Sequence, residues 1–225
     1  MKMKLGVIDL DTGNLTSLLS ALNRLNIKFI ICKNNLDFEN VDKIIIPGVG
    51  AFKDFMNKIK LKKIDKIISN KIRNNCSILG VCIGFQVLFE GSNEHGECHG
   101  LKLLKGNFVN FKDQNKKINV PHVGWNECNI TNKNKLFNNI DNNSDFYFTH
   151  SYFLKNYNNN DVISKTIYDF EFVSSINYKN IYGVQFHPEK SQSNGFKNIK
   201  EFLRELLVVK KKINYNPYIF RRSFV

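Results

Sequence analysis

No stretch of this 225-residue chain is apolar for anything near the roughly 20 residues that a membrane-spanning helix needs, so a helical membrane protein is excluded. Cysteine is scarce and badly spaced for pairing. The five residues stand at 32, 76, 82, 98 and 128 with no C-x-x-C among them, which argues against a disulfide framework. In "HGECHG", His95, Cys98 and His99 resemble metal ligands, but one short loop lacks a fourth ligand and a second pair, so no metal is expected. The sequence also has no G-x-S-x-G, so a serine nucleophile on a strand-turn-helix elbow is not indicated. Acidic residues are outnumbered, 20 against 33 Lys and Arg, for a net charge of +13. The lysines are spread among abundant Asn and Ile and no nucleic-acid motif accompanies them. We therefore read a solvated basic surface with no nucleic-acid partner.

The N-terminal "MKMKLGVIDLDTGN" follows its two lysines with acids inside a short apolar run, unlike a secretory or transit peptide, and the expected location is the cytoplasm. The length suits one domain, placed at residues 1–209. Residues 210–225, "KKKINYNPYIFRRSFV", form a basic aromatic tail expected to be flexible.

Within the domain, apolar segments alternate with helical patterns. "KLGVIDL", "IKFIICK", "KIIIPG" and "SILGV" read as buried strands. Between them, "LTSLLSALNRL" aligns Leu15, Leu18, Leu19, Leu22 and Leu25 on one helical face, and a helical region spans roughly 53–74. Strands and helices in alternation imply a parallel sheet covered on both faces. From about residue 105, "GNFVNF", "DFYFTH", "VISKTIY", "FEFVSSINY" and "IYGVQF" follow one another across Asn-rich turns, so this half reads as antiparallel or mixed. A last helix, "NGFKNIKEFLRELLVV", aligns Phe196, Ile199, Phe202, Leu203 and Leu206. The expected fold class is α/β, with a mixed, mostly parallel central sheet flanked by helices.

One cysteine has an unusual setting. In "SILGVCIGFQ", Cys82 stands in the turn after an apolar strand, with Gly80 and Gly84 two residues to either side to relieve crowding. A lone cysteine is most often a small buried hydrophobe. Here the turn would lift the sulfur to the start of the next helix, where free backbone N–H groups and the helix dipole favour a thiolate nucleophile. Such a nucleophile needs a base, and "QFHPEK" offers His187 with Glu189 two residues on, which extended geometry would turn to one side. A carboxylate beside an imidazole fixes its tautomer, as in nucleophile, base and acid triads.

With "GVCIGFQ" and "GVQFHPEKS" in view, the chain resembles the class I (triad) glutamine amidotransferases. "DTGNLTSLLSAL", "IPGVGAF", "LGVCIGFQVLFEGSNE", "VPHVGWN", "YFTHSYF" and "GVQFHPEKSQSNG", spread over residues 5–208, bring it closest to the glutaminase subunits that serve histidine biosynthesis. One residue departs from that pattern: the centre of "PHVGWN", commonly Met, is Val123 here.

The resemblance implies that Cys82 attacks the glutamine side-chain carbonyl, His187 shuttles protons and Glu189 orients it, with no cofactor. It implies oxyanion donors from the Ile83 amide and from Val49 and Gly50 of "PGVG", and glutamine contacts from Gln86, Glu94, Ser151 and Tyr152. It implies a heterodimer in which Asn14, Pro121, Val123, Gly124, Trp125 and Lys190 face a (β/α)8-barrel cyclase that consumes the ammonia to form imidazole glycerol phosphate and AICAR. Trp125 is the only tryptophan, and burial tendencies alone leave open whether it is a core aromatic or an exposed anchor. A paralogue serving another synthase, such as one making an amino sugar for surface glycans, would share the triad.

Overall fold

The computed structural model describes residues 4–11 and 15–213. The chain runs β1 (Leu5–Ile8), α1 (Leu15–Arg24), β2 (Phe29–Cys32), β3 (Lys43–Ile46), α2 (Phe52–Leu61), α3 (Ile64–Arg73), β4 (Ser77–Val81) and α4 (Ile83–Gln86). It continues with β5 (Gly91–Ser92), β6 (Cys98–His99), β7 (Asn107–Asn110), β8 (His122–Ile130), β9 (Ser144–His150), β10 (Tyr152–Lys155), β11 (Val162–Tyr168), β12 (Phe170–Tyr178), β13 (Ile181–Val184) and α5 (Gln192–Ile213).

Nine strands form one mixed sheet in the order β2-β1-β3-β4-β13-β12-β11-β8-β9. The pairings from β2 through β13 are parallel, and those from β13 to β9 are antiparallel. A smaller sheet, β10-β7-β5-β6, lies beside it. Short apolar strands make the parallel half because both of its faces are covered. Along β3 and β4, Ile44, Ile46 and Ile78 face one core, while Ile45, Leu79 and Val81 face the other. The first core lies under α2 and α3 through Phe52, Phe55, Met56, Ile59, Ile64 and Ile68; the second lies under α1 and α5 through Leu18, Leu22, Ile199, Phe202 and Leu203. Each such side chain, fully buried, contributes about 1.5–3 kcal/mol.

Three features go beyond what the sequence pattern gave. The helical region 53–74 is two helices, because Lys63 takes a left-handed φ of 56° between Leu61, which is 83% exposed, and the buried Ile64. The helix after Cys82 is a single turn. The carbonyls of Val87, Leu88, Phe89 and Glu90, which would continue its ladder, accept instead from the amides of residues 100–104. Thirdly, the motif "PHVGWN" opens a nine-residue strand, β8, that hydrophobic pattern did not reveal. Its inward positions include polar His122, and its outward ones include Val123 and Trp125, which inverts the usual signal. The last helix continues past the boundary expected at 209 as far as Ile213, and the remainder of the basic tail, 214–225, lies outside the described residues.

The two sheets are joined by aromatic packing. Phe85, Phe89 and Phe108 meet edge to face at centroid distances of 5.2–5.5 Å, tying α4 to β7. Just past β7, Phe111 is fully buried, stacked on Phe153 at 5.1 Å and edge-on to Phe172 at 5.5 Å. Phe111→Ala is expected to lower unfolding free energy by about 3–5 kcal/mol, read as a reduced urea midpoint.

Candidate active site

Three neighbouring parallel strands deliver the site. β3 ends in the loop 47–50, β4 ends at Cys82, and β13 ends just before Gln185 and His187, all at carboxyl ends of strands in one sheet. Val81 pairs with Val184, and the Cys82 amide donates to the Val184 carbonyl at 2.9 Å, so the register of β4 against β13 sets Cys82 beside His187.

Cys82 has φ 53° and ψ −109°, a conformation that costs an L-residue on the order of 1–3 kcal/mol. Tight packing maintains it. A Cβ on Gly84 would collide with the Ile46 carbonyl at the end of β3, and one on Gly80 would collide with the Gly84 carbonyl, so neither position has room for a side chain. Cys82 is 6% exposed, and its Sγ lies 3.6 Å from the Thr149 carbonyl. With α4 reduced to one turn, little macrodipole reaches Cys82, and local amides, the nearest being that of Ile83, remain as donors.

His187 and Glu189 do meet, but a strand does not bring them together. β13 stops at Val184, and Pro188–Lys190 form a 3-10 turn that His187 caps with φ −101°. Pro188 at the first position starts that turn. The His187 Nδ1–H donates to Glu189 Oε1 at 2.8 Å, which leaves Nε2 for the Cys82 side. The backbone on either side is tied down: the His187 amide donates to the Tyr147 carbonyl at 2.8 Å, and the buried Ser191 hydroxyl donates to the His187 carbonyl at 2.6 Å. Among the described residues Glu189 Oε2 is buried without a hydrogen-bond partner, and Oε1 is the oxygen that meets the imidazole. Burial is the largest influence on the His187 pKa and lowers it. The charge and hydrogen bond of Cys82, then those of Glu189, outweigh that burial and leave the pKa raised above the ordinary histidine value, so the imidazolium is supported.

Gly48 packs so closely that a Cβ there would strike Ile83 and the Phe55 ring, which holds the 47–50 loop against the residue after Cys82. Val49 is half-buried, and Gly50 turns away at φ 101°. Glu94 accepts the Phe52 amide at 2.6 Å, capping α2 directly after that loop. Gln86 is buried, and its Nε2 donates to Gln185 Oε1 at 3.1 Å. Ser151 and Tyr152 are half-buried at the junction of β9 and β10.

Among the proposed partner-facing residues, Pro121 and Lys190 are exposed and Gly124 is half-buried at φ 136°. Val123 and Trp125 are 55% and 47% exposed, which resolves Trp125 as a surface aromatic; Asn14 lies outside the described residues. Tyr147 was missed by sequence reasoning. It meets Trp125 edge-on at 5.9 Å and lies under the Lys190 ammonium at 5.6 Å. Gln185 was also missed, although its place two residues before His187 in extended chain was a usable signal.

Two further histidines pack behind the site. Asn126 Nδ2 donates to His122 Nε2 at 3.2 Å, so His122 Nδ1 donates to His150 Nε2 at 3.0 Å, and His150 Nδ1 donates to the Tyr152 carbonyl at 2.8 Å. Every link requires neutral rings. Burial lowers His122 to about 4; burial, then the His122 and His187 rings, lowers His150 to about 3 against the Tyr152 carbonyl.

Residues 6–206 match the glutamine amidotransferase class-I family. Curated relatives include imidazole glycerol phosphate synthase subunit HisH of Methanocaldococcus jannaschii, 44% identical over 90% of this chain and 100% of that protein. Subunit HisH 1 of Campylobacter jejuni is 38% identical over 89% of this chain and 99% of its own length. The fold is shared with PurLQS from Thermotoga maritima (TM-score 0.68, 18% identity, covering 92% of this chain and 100% of that one). It is shared as well with a Thermotoga maritima glutamine amidotransferase (TM-score 0.62, 16% identity, 95% and 87%).

The neutral histidine pair has a consequence for stability. Above pH 6.5, an ordinary histidine value, folded and unfolded rings are both neutral. As pH falls from there towards about 4 and 3, the unfolded chain binds protons that the folded pair refuses, so stability is lost. Between pH 6 and 4.5, His150→Gln is expected to flatten the dependence of unfolding free energy on pH by about one proton, roughly 1.4 kcal/mol per pH unit. Urea titrations across that range measure it.

Proposed function

The chain belongs to the class-I glutamine amidotransferases, among the HisH subunits of imidazole glycerol phosphate synthase, and from that premise we propose how its own residues release ammonia from glutamine. The observation that carries the reading is the convergence of Cys82, His187 and Glu189 at the ends of β4 and β13.

His187 Nε2 accepts the Cys82 proton, and the sulfur adds to the side-chain amide carbon of glutamine, forming the C–S bond as the carbonyl becomes an oxyanion. Amides of Ile83 and of the Val49–Gly50 stretch hold that oxygen; each donor is worth about 2.7–4 kcal/mol. The intermediate collapses with loss of the C–N bond, and the His187 proton leaves with nitrogen as ammonia. Water, deprotonated by His187, adds to the glutamyl thioester, and cleavage of C–S returns the proton to sulfur and releases glutamate. Glu189 keeps the Nδ1 hydrogen in place through both halves. Gln86, Glu94, Ser151 and Tyr152 hold the glutamine, with the second oxygen of Glu94 available to its ammonium.

The ammonia goes to a partner subunit, a (β/α)8-barrel cyclase that forms imidazole glycerol phosphate and AICAR in histidine biosynthesis. Pro121, Val123, Gly124, Trp125 and Lys190 form the docking face, with Asn14 assigned to it from sequence alone. Val123 pairs with Thr149, whose carbonyl faces Cys82, so this face lies one strand from the nucleophile. Residues 1–209 act as one catalytic domain, with the basic segment beyond it an appendage. The cytoplasm is the setting: the five cysteines are free, and no described helix is long and apolar enough to cross a membrane. The relatives reported carry the imidazole glycerol phosphate synthase name, so an amino-sugar synthase is not favoured as the partner.

Cys82→Ala is expected to reduce glutamine-dependent synthesis on the order of a thousandfold or more while the complex still uses added ammonium. Synthesis assays with each nitrogen source measure both, and retained glutamine use would sink the nucleophile assignment. Trp125→Ala is expected to weaken cyclase binding by about 2 kcal/mol or more without changing the fold, a loss readable by titration calorimetry.

A further inference from the structure

Gln185 takes no part in the triad, yet its side chain touches the reacting sulfur. Its Nε2 lies 3.8 Å from Cys82 Sγ, within reach of an N–H···S hydrogen bond. The residue is 1% exposed, and its own amide donates to the Ser174 carbonyl at 2.8 Å, so the backbone is locked. The orientation of its carboxamide is set from the far side, where Oε1 accepts from Gln86 Nε2 at 3.1 Å and the N–H face is left to the sulfur.

The sulfur therefore sits between groups of opposite preference. A thiol can donate to the Thr149 carbonyl at 3.6 Å, but a thiolate only accepts, and that carbonyl then repels it. The thiolate instead needs donors, which Gln185 and the His187 imidazolium supply.

We propose that Gln185 is a further catalytic residue, the amide donor that holds the Cys82 thiolate, and that Gln86 positions it by fixing the direction of its carboxamide. The proposal rests on the reading of Cys82 as nucleophile and extends it. Sequence resemblance assigned Gln86 to glutamine binding only; the hydrogen bond to Gln185 gives it a task at the sulfur before substrate arrives.

The test uses the full chain and iodoacetamide, which reports on the sulfur without engaging the glutamine contacts. Alkylation at Cys82 is followed by peptide mass across pH 5–9, and glutamine kinetics are measured with the cyclase present. Gln185→Met keeps side-chain length and apolar volume but has no donor. It is expected to slow alkylation at pH 7 about tenfold or more, shift the alkylation profile to higher pH and lower kcat with KM nearly unchanged. Gln185→Glu, which places a negative charge at the same point, is expected to do so more strongly. Gln86→Met, which frees the carboxamide to turn, is expected to move the profile in the same direction by less. The urea midpoint of each variant and its cyclase affinity by titration calorimetry report that the fold is intact; should Gln185→Met fail to fold, Gln185→Asn, whose amide is too short to reach the sulfur, takes its place with the same expectation. An alkylation profile that overlays the unsubstituted protein's, or a raised KM with kcat intact, would overturn the role of Gln185. Glutamine use that survives Cys82→Ala would instead overturn the underlying nucleophile reading, so the two failures are distinct.

Discussion

The amide of Cys82 donates to the carbonyl of Val184 at 2.9 Å, and much of the molecule serves that one cross-strand bond. It forms only if β4 and β13, about a hundred residues apart in sequence, pair in parallel with Val81 opposite Val184. A one-residue slip in that register would turn Cys82 to the other face of the sheet. The two apolar cores, one on each face, make such a slip expensive, since every strand residue between them is committed to a side. The left-handed Cys82 persists for the same reason: α4 is seated against the end of β3, where Gly84 alone fits beside the Ile46 carbonyl.

Histidines within one small region have opposite electrostatic fates, and burial does not distinguish them. His187, His122 and His150 are all buried, and desolvation pushes each towards neutrality. What differs is the company each keeps. His187 faces the Cys82 sulfur, whose anionic form favours a proton on the ring, and a carboxylate that does the same. His122 and His150 face each other, an Asn amide and a backbone carbonyl, in a chain whose every link already has one donor and one acceptor. A proton added there would set donor against donor. The neutral pair spans β8 and β9, and the same two strands carry Val123 and Trp125 outward and Thr149 towards Cys82. Surface and site thus share one rigid piece of sheet.

The parallel half of the fold was legible because β1, β3 and β4 are short continuous apolar runs between helical patterns, and burial on both faces requires that composition. β8 was not legible as a strand, since its buried positions include His122 and its exposed ones include Trp125. The break at Lys63 and the single-turn α4 were hidden as well. In the second case, helical propensity lost to a loop, residues 100–104, that arrives from later in the chain to take the carbonyls. At the site, Cys82, His187 and Glu189 could be singled out from residue type, spacing and motif order, but the alternation invoked to join His187 to Glu189 was the wrong geometry. A 3-10 turn started by Pro188 does that work.

The cysteine, histidine and glutamate of the site, the glycines that flank Cys82 and the order of the motifs that relate this chain to its family can be read along the chain, because they depend on covalent identity and local spacing. That Gln185 reaches the sulfur, that Gln86 meets it from the far side, that Glu94 caps α2 and that Trp125 stands in solvent emerge from the folded molecule. Each of those facts is a distance or an exposure set by long-range strand pairing and core packing. Chain-local pattern carries no information about which distant carbonyl, amide or sulfur will be brought within hydrogen-bond reach.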